Sequence, residues 1–157
     1  NINPKYIFNT KKNDDKVNYI KELNQIFEKL YQNKFISINK ENIISKKINH
    51  INFVYLIAEN YPSKLLKNFI DEQKKKLPKK CVSMIISNDK KKISIVIGAT
   101  DDISNQFDSS KEIIEISAIL GGKGGGGRKD MAQGGGTDIS RLDECLKYIE
   151  NKINIIN

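Results

Sequence analysis

The hydrophobic pattern divides the chain into segments with helical spacing and segments with continuous apolar runs. Between Asp14 and Lys34, apolar residues recur every three or four positions, which predicts an amphipathic helix. A second, shorter helix is expected to begin near Asn39. The run INFVYLIAE at residues 51–59 is almost entirely apolar and rich in β-forming residues, which predicts a buried strand. The pattern therefore indicates helices first and a sheet afterwards.

A helix and a hairpin are predicted after this strand. Pro62 suits the first turn of a helix, and apolar residues at the 3.6-residue period follow it until Pro78. Residues 81–87 and 92–97 predict two strands joined by the polar turn Asn-Asp-Lys-Lys. Strand, helix and strand form a βαβ unit, so the first two strands are expected to be parallel, and the hairpin adds an antiparallel strand.

Two further helices flank a glycine-rich segment. Asp108 or Ser109 is expected to cap the first helix and Gly121 to end it, and Asp138 is expected to cap the second. These elements predict an α+β (α/β) fold, in which an N-terminal amphipathic helix precedes a compact domain. In that domain a mixed β-sheet, made of the βαβ unit and the hairpin, is packed by helices, and a glycine-rich loop lies between the last two helices.

Length and composition fit one globular domain with a helical appendage. The chain has 157 residues, which we divide into a helical linker or subdomain at residues 1–48 and a globular domain at residues 49–157. No apolar run approaches the roughly 18 residues of a membrane span, so we expect no membrane partner. The first residues lack the apolar core of a signal peptide, and the chain does not begin with methionine. We therefore interpret it as a cytoplasmic fragment of a longer protein.

The two cysteines and the single histidine form no pattern typical of a metal site or a catalytic site. Cys81 and Cys145 are 64 positions apart with no CxxC spacing, which predicts buried free thiols in a reducing compartment. His50 has no cysteine or carboxylate cluster beside it, so no zinc site can be assembled locally. We therefore expect no metal and no histidine-based catalysis in this chain.

The positive charge is concentrated in the first half of the chain. The net charge is +8, and residues 1–80 hold 17 lysines against 8 acidic residues. Lysine outnumbers arginine 25 to 2, which is typical of a composition bias, so basicity alone indicates nucleic-acid binding only weakly. A lysine-rich stretch along the predicted crossover helix is either a solvated face or a stripe for a phosphate backbone; its candidate residues are Lys64, Lys67, Lys74, Lys75, Lys79 and Lys80.

Nine of the ten glycines lie between Gly121 and Gly136, which is unusual because glycine loses the most backbone freedom on folding. The segment fails the P-loop pattern, since Gly124 follows Lys123 where a serine or threonine is required. A GxGxxG match within it follows a helix and not a strand, so it does not indicate dinucleotide binding. Two interpretations remain: a backbone nest that binds phosphate with Lys123 and Arg128, and a flexible surface linker.

The stretch GGKGGGGRKDMAQGGGTD at residues 121–138 is similar to the signature of the C-terminal, DHH-associated domain of alanyl-tRNA synthetases. That signature reads GGKGGG, then Arg-Pro-Asp-Met-Ala-Gln, then a small residue and Gly-Gly. The resemblance implies a noncatalytic domain that binds alanine-specific tRNA and serves aminoacylation and editing of mischarged tRNA, which domains absent from this chain carry out. By matching positions it implies a tRNA-binding role for Gly121, Gly122, Lys123, Gly124, Gly125, Gly126, Gly127, Arg128, Met131, Gln133, Gly135 and Gly136.

The resemblance also sets expectations for cofactors and for neighbouring positions. It implies no cofactor in this chain, with ATP and zinc confined to the absent parts of an alanine–tRNA ligase. Asp130 is expected to brace Arg128 or the loop, because a carboxylate beside a phosphate is unfavourable. The chain departs from the signature by one extra glycine before Arg128, by Lys129 in place of proline and by Gly134 in place of alanine.

Two other hypotheses stay open. The same domain type is an accessory module of DHH-type phosphoesterases, which would bind a nucleotide. Met131-Ala132-Gln133, in place of a histidine after the glycines, favours the synthetase over this alternative. A structural hypothesis is homo-oligomerisation through the apolar stripe from Val17 to Tyr31.

Overall fold

The described part of the chain is built on one six-stranded β-sheet. The structure, a computed structural model, describes residues 43–157. Its strands are β1 (Ile43–Ile48), β2 (Ile51–Glu59), β3 (Cys81–Asn88), β4 (Ile93–Ala99), β5 (Gly125–Arg128) and β6 (Met131–Gly136). They lie in the order β1-β2-β3-β4-β6-β5, with β2 and β3 parallel and the other neighbouring pairs antiparallel. The sheet is therefore mixed, as predicted.

Helices of the described residues cover both faces of the sheet. The α-helices are α1 (Leu66–Lys76), α2 (Ser109–Ile119) and α3 (Leu142–Asn154). α2 and α3 share the larger core with alternate residues of the strands, because strand side chains alternate between faces. α1 packs on the other face, where it buries Leu66, Phe69 and Ile70. One-turn 3₁₀ helices at Ser63–Leu65 and Ile139–Arg141 lead into α1 and α3.

The predictions for the buried strand, the crossover helix and the hairpin are confirmed. β2 covers residues 51–59, α1 crosses over, and β2 pairs in parallel with β3. β3 and β4 form the antiparallel hairpin that follows. These strands are covered on both faces, which explains why their sequences are mostly apolar and do not alternate with polar residues.

The ends of α2 and α3 also agree with prediction. Asp108 caps α2, and its carboxylate accepts a hydrogen bond of 3.1 Å from a backbone N–H in the first turn. α2 ends in a Schellman motif, in which Gly121 has φ 75° and the Gly122 N–H donates to the Ser117 carbonyl oxygen at 2.7 Å. Asp138 caps the 3₁₀ turn that leads into α3.

Strand β1 corrects the prediction of a helix beginning near Asn39. Residues 43–48 are extended and pair antiparallel with β2. A tight turn at Asn49 and His50 joins the two strands, with Asn49 in the left-handed region at φ 53°. Pairing with the edge of β2 overrides the weak local preference of this short segment. The amphipathic helix predicted at residues 14–34 lies outside the described residues.

The glycine-rich segment between α2 and α3 is a β-hairpin and not the predicted loop. β5 and β6 pair antiparallel from Gly125 with Gly134 to Arg128 with Met131, and β6 also pairs with β4. The nest prediction is wrong for Gly125–Arg128, because these residues are extended and do not form successive turns. Because glycine is depleted in strands, the β-propensity of this segment does not predict the hairpin.

Candidate nucleic-acid interface

A groove follows the sheet between α1 and the glycine hairpin β5–β6. It consists of two adjoining cavities of about 700 Å³ and about 350 Å³ that share Lys67, Gly126 and Gln133. The larger cavity lies between the start of α1 and the middle of β4, and the smaller one extends toward the hairpin turn. The larger is also lined by Ser63, Lys64, Leu66, Ser94, Ile95, Val96, Gly125 and Gly134, and the smaller by Asp71, Gly127, Arg128, Met131 and Ala132.

Two glycines shape this groove by lacking side chains. Gly98 on β4 lies under α1, where an added Cβ would lie 2.5 Å from Ile70 Cγ2 and 2.9 Å from the Asp130 carbonyl oxygen. The missing side chain lets α1 and the hairpin turn approach β4 closely. At Gly126 an added Cβ would meet no heavy atom within 4 Å. Gly98 thus brings the walls together, and Gly126 keeps the space between them empty.

Arg128, Asp130 and Lys74 form an ion-pair cluster beside the groove. The Nε and Nη2 atoms of Arg128 donate to the two carboxylate oxygens of Asp130 at 2.9 Å and 3.1 Å. Lys74 Nζ donates to the Asp130 carbonyl oxygen at 2.7 Å and to its carboxylate at 3.3 Å. These bonds connect α1 to the hairpin turn, so they join the lysine-rich helix to the glycine signature.

The cluster keeps Asp130 charged and leaves Arg128 accessible. Hydrogen bonds from Arg128 lower the pKa of Asp130 to about 2; partial burial opposes this shift and Lys74 adds to it. The Arg128 side chain is 76% exposed. A guanidinium has five N–H donors and Asp130 occupies two of them. Arg128 can therefore bind an anion while Asp130 holds it in position.

The lysines singled out from the sequence are divided between the groove and other surfaces. The groove is lined or flanked by Lys64, Lys67 and Lys74. Three others are exposed and do not line it, namely Lys75 on α1 and Lys79 and Lys80 beyond its end. Lys123, between α2 and β5, is exposed and forms no ion pair with another residue of the range 43–157. Only the first half of the predicted stripe therefore lies at the groove, and its role in binding stays a prediction.

Several of the glycines assigned to tRNA binding are required for packing. An added Cβ at Gly122 would overlap the Gly135 carbonyl oxygen, and one at Gly136 would overlap the Leu120 carbonyl oxygen. With Gly121 in the left-handed region, these residues seat the hairpin against the end of α2. The predicted residues that line the groove are instead Gly125, Gly126, Gly127, Arg128, Met131 and Gln133.

Three polar residues of the groove were not marked by any sequence pattern. Ser63 and Asp71 reach it because the crossover helix returns over the sheet beside β4. Ser94 reaches it because β4 pairs with β6, which places Ser94 opposite Gly135. Their positions depend on pairing between distant segments, so the local sequence does not reveal them.

The remaining candidate groups lie apart from the groove. Cys81 and Cys145 are buried free thiols, as predicted, and burial raises the pKa of both, to about 12 for Cys145. His50 is exposed in the turn between β1 and β2. Among residues 43–157, no group of three or more His, Cys, Asp and Glu side chains is placed to hold a metal ion. No helix in that range is long and apolar enough to cross a membrane.

The matched region of a family model coincides with this architecture. The model of the DHHA1 domain matches residues 50–154, which contain β2 to α3 and every residue of the groove. The chain belongs to the DHHA1 domain family. The resemblance inferred from the glycine signature is therefore confirmed.

Relatives of this DHHA1 domain include alanine–tRNA ligases. The chain is 30% identical over 152 residues to the alanine–tRNA ligase of Rickettsia bellii, which covers 92% of this chain and 17% of the ligase. It also resembles the C-Ala domain of Aquifex aeolicus alanyl-tRNA synthetase, with a TM-score of 0.66 and 31% identity, over 71% of this chain and 98% of that domain. The chain thus spans less than a fifth of the length of the curated ligase.

A more distant structure shares the fold alone. A DHH domain described as a member of the s1p family of ribosomal proteins has a TM-score of 0.60 at 15% identity. The match covers 94% of this chain and 36% of that one. This likeness shows the shared fold alone, and the function of each protein with this fold depends on its site.

Proposed function

We propose that this DHHA1 domain is the tRNA-binding C-terminal domain of an alanine–tRNA ligase. The domain is noncatalytic, and it grips alanine-specific tRNA for aminoacylation and editing by other parts of the parent enzyme. Identity of 30% to a curated ligase and of 31% to a C-Ala domain supports this assignment. The structural observation that carries it is the groove, in which an exposed arginine, lysines and a bare glycine backbone meet.

The groove has the chemistry that a folded RNA requires. Arg128 and Lys67 supply positive charge for phosphates, which provide much of the affinity of nucleic-acid complexes. Gly126 leaves room for a ribose or a base edge to approach the backbone. Ser94 and Gln133 offer hydrogen-bond donors and acceptors that suit a 2′-hydroxyl group. The site therefore reads shape and backbone more than base sequence.

Gly126 provides a sharp test, because a side chain there fills the groove without entering the core. In Gly126→Val, the new side chain occupies open space on a strand, where β-branched residues are favoured. We expect the full 157-residue chain to keep its thermal unfolding midpoint. In a gel-shift titration with alanine-specific tRNA, we expect its affinity to fall by about ten-fold, equivalent to about 1.4 kcal/mol.

The matched control is Ala118→Val, which enlarges an exposed residue of α2 on the other face of the sheet. This variant should bind tRNA as the natural chain does. Full affinity in Gly126→Val, with its midpoint retained, would exclude the groove as the contact surface. Failure of the natural chain to bind tRNA would contradict the tRNA role itself.

The alternative is the accessory domain of a DHH-type phosphoesterase, in which the groove holds a nucleotide. The DHH-domain structure supports only the shared fold, whereas two relatives that are 30% and 38% identical to this chain are alanine–tRNA ligases. Titration with adenosine monophosphate separates the two. Saturable binding of the mononucleotide in the groove, without binding of tRNA, would favour the phosphoesterase.

We extend the proposal to the setting of the parent enzyme. The parent ligase is cytoplasmic, and its ATP and zinc are bound outside this domain. Homo-oligomerisation through the stripe from Val17 to Tyr31 stays a prediction. Comparing the particle mass of the full chain with that of a truncation starting at Asn39 tests it, since equal monomeric masses would remove that role.

A further inference from the structure

One end of the sheet carries a lysine cluster that the groove approaches but does not include. The strand register brings the end of β3 beside the start of β4, with Asn88 opposite Ile93, and brings Ile93 beside Gly136 at the end of β6. The turn between β3 and β4 lies at this end. We call residues Asp89–Lys92 the lysine turn, since three of its four residues are Lys90, Lys91 and Lys92.

The lysine turn has an ordered backbone. The Asp89 carboxylate accepts hydrogen bonds from the N–H groups of Lys91 and Lys92 at 3.0 Å and 2.8 Å. The Asn88 side chain accepts one from the Lys90 N–H at 3.2 Å, and Lys90 has φ 71°. The side chains of the three lysines are exposed and form no ion pair with another residue of the range 43–157. The turn therefore presents three exposed lysine side chains on an ordered backbone, with Asp89 as the one acidic residue among its four.

The groove leads to this turn. Ser94 lines the groove and follows Lys92, the last residue of the lysine turn, by two positions. Lys64 lines the same part of the groove. β6, which runs from the Arg128 end of the groove toward the lysine turn, has six residues, a length of about 20 Å. An RNA strand that follows the groove from Arg128 reaches the lysine turn.

We infer that the lysine turn is a second phosphate-binding site, which holds the RNA backbone where it leaves the groove. The inference rests on the proposed function, because RNA must occupy the groove for the turn to meet it. Arg128 and Lys67 bind the strand inside the groove, and Lys90, Lys91 and Lys92 bind phosphates beyond it. Since these are backbone contacts, the turn adds affinity and salt dependence without adding sequence preference.

The test compares two triple variants of the full 157-residue chain. In the first, Lys90, Lys91 and Lys92 are changed to Gln. In the second, three exposed lysines of β1, α2 and α3, outside the groove, are changed to Gln: Lys47, Lys111 and Lys147. Both lose the same charge, so long-range electrostatics change equally. The dependence of tRNA affinity on salt concentration is measured for each, with thermal unfolding as a check of folding.

We expect the slope of log affinity against log salt to fall by about 2 in the lysine-turn variant and by less than 1 in the control. Equal changes in both variants, or an unchanged slope in the first, would overturn the second site while leaving the tRNA role intact. If the natural chain fails to bind tRNA at any salt concentration, both the proposed function and this inference fall.

Discussion

The Asp130 carboxylate holds the Arg128 guanidinium through two parallel hydrogen bonds, at 2.9 Å from Nε and 3.1 Å from Nη2. The two residues flank Lys129 in the turn between β5 and β6, so the pair forms within a few residues of chain. Lys74 adds a bond from α1 to the same carboxylate. A charge-assisted bidentate pair fixes geometry as well as charge, so Arg128 is held in place at the edge of the groove.

Removing Arg128 should raise the pKa of Asp130 from about 2 toward its ordinary value, because the Arg128 hydrogen bonds are the largest cause of the shift. Lys74→Ala should raise it less, and Lys75→Ala, outside the cluster, should leave it unchanged. The measurement is an NMR titration of the Asp130 side-chain carboxyl carbon. A larger rise with Lys74→Ala than with Arg128→Ala would contradict the assigned order.

The same pair predicts how stability depends on pH. The folded pKa of Asp130, about 2, lies below the ordinary value of 3.8. The contribution of the pair to the free energy of unfolding is therefore complete above about pH 4 and is lost as the pH falls through 2. Urea unfolding across this range should show a smaller loss in Asp130→Asn than in the natural chain. Parallel losses in the two proteins would show that other carboxylates dominate.

Lys123 and Arg128 should each contribute to the salt dependence of tRNA binding, because both are exposed near the glycine hairpin. Changing both to Ala should reduce the slope of log affinity against log salt by up to about 2 if both contact phosphate. Changing Lys111 and Arg141 to Ala removes the same charges outside the groove and serves as the control. A slope that matches the control would remove Lys123 and Arg128 from the interface.

Gly134 should not tolerate alanine in this chain, although the family signature commonly has alanine there. An added Cβ would overlap Ser117 Oγ and lie 2.9 Å from Ile113 Cγ1. We expect Gly134→Ala to lower the free energy of unfolding by about 1–3 kcal/mol, as overpacked cores do. Ser117 Oγ is buried without a hydrogen-bond partner, so Ser117→Ala should be neutral or stabilising.

The double variant tests whether the two positions are coupled. Ser117→Ala removes the atom that the new methyl group would overlap, so it should recover much of the loss caused by Gly134→Ala. Urea unfolding of the four proteins gives the coupling energy, for which about 0.5–3 kcal/mol is typical of residues in contact. Strictly additive effects would contradict this packing account.

Lys129→Pro should stabilise the hairpin turn. Neither Lys129 nor Asp130 has a positive φ, which fits a type I turn with Lys129 at its second position, where proline is favoured. Proline there restricts the unfolded chain, and we expect a gain of about 0.4–1 kcal/mol in the free energy of unfolding. Lys129→Ala is the control, because it also removes the bond from Lys129 Nζ to Asn105. A proline variant less stable than the alanine variant would exclude this turn geometry.

The core of the fold follows from local sequence because its strands are buried on both faces. β2, β3 and β4 are continuous apolar runs, and Asp108, Gly121 and Asp138 mark helix ends through their own hydrogen-bonding and backbone chemistry. β1 is different, since most of its residues are exposed and it is a strand only because β2 offers an edge. A preference that depends on a partner cannot be read from six residues alone.

The glycine signature marks one wall of the groove, but its local sequence does not predict the strands that form this wall. The sequence predicts an anion-binding loop near Lys123 and Arg128. In the structure, Arg128 lies at the end of a strand that forms one wall of a groove. The other wall is α1 (Leu66–Lys76), far earlier in the chain than β5 (Gly125–Arg128). The bond from Lys74 to Asp130 and the placement of Ser94 both result from that distant packing.

The pairing of β6 with β4 has a consequence for the order of folding. Ile93 and Gly136 pair across 43 positions, and β5, at the edge beyond β6, contributes no buried residue, so adding β5 to the sheet buries little apolar surface. The core around β2 and β3 can assemble before it does. We therefore expect the glycine wall of the groove to become ordered after this core, so that only a fully folded chain presents a complete groove.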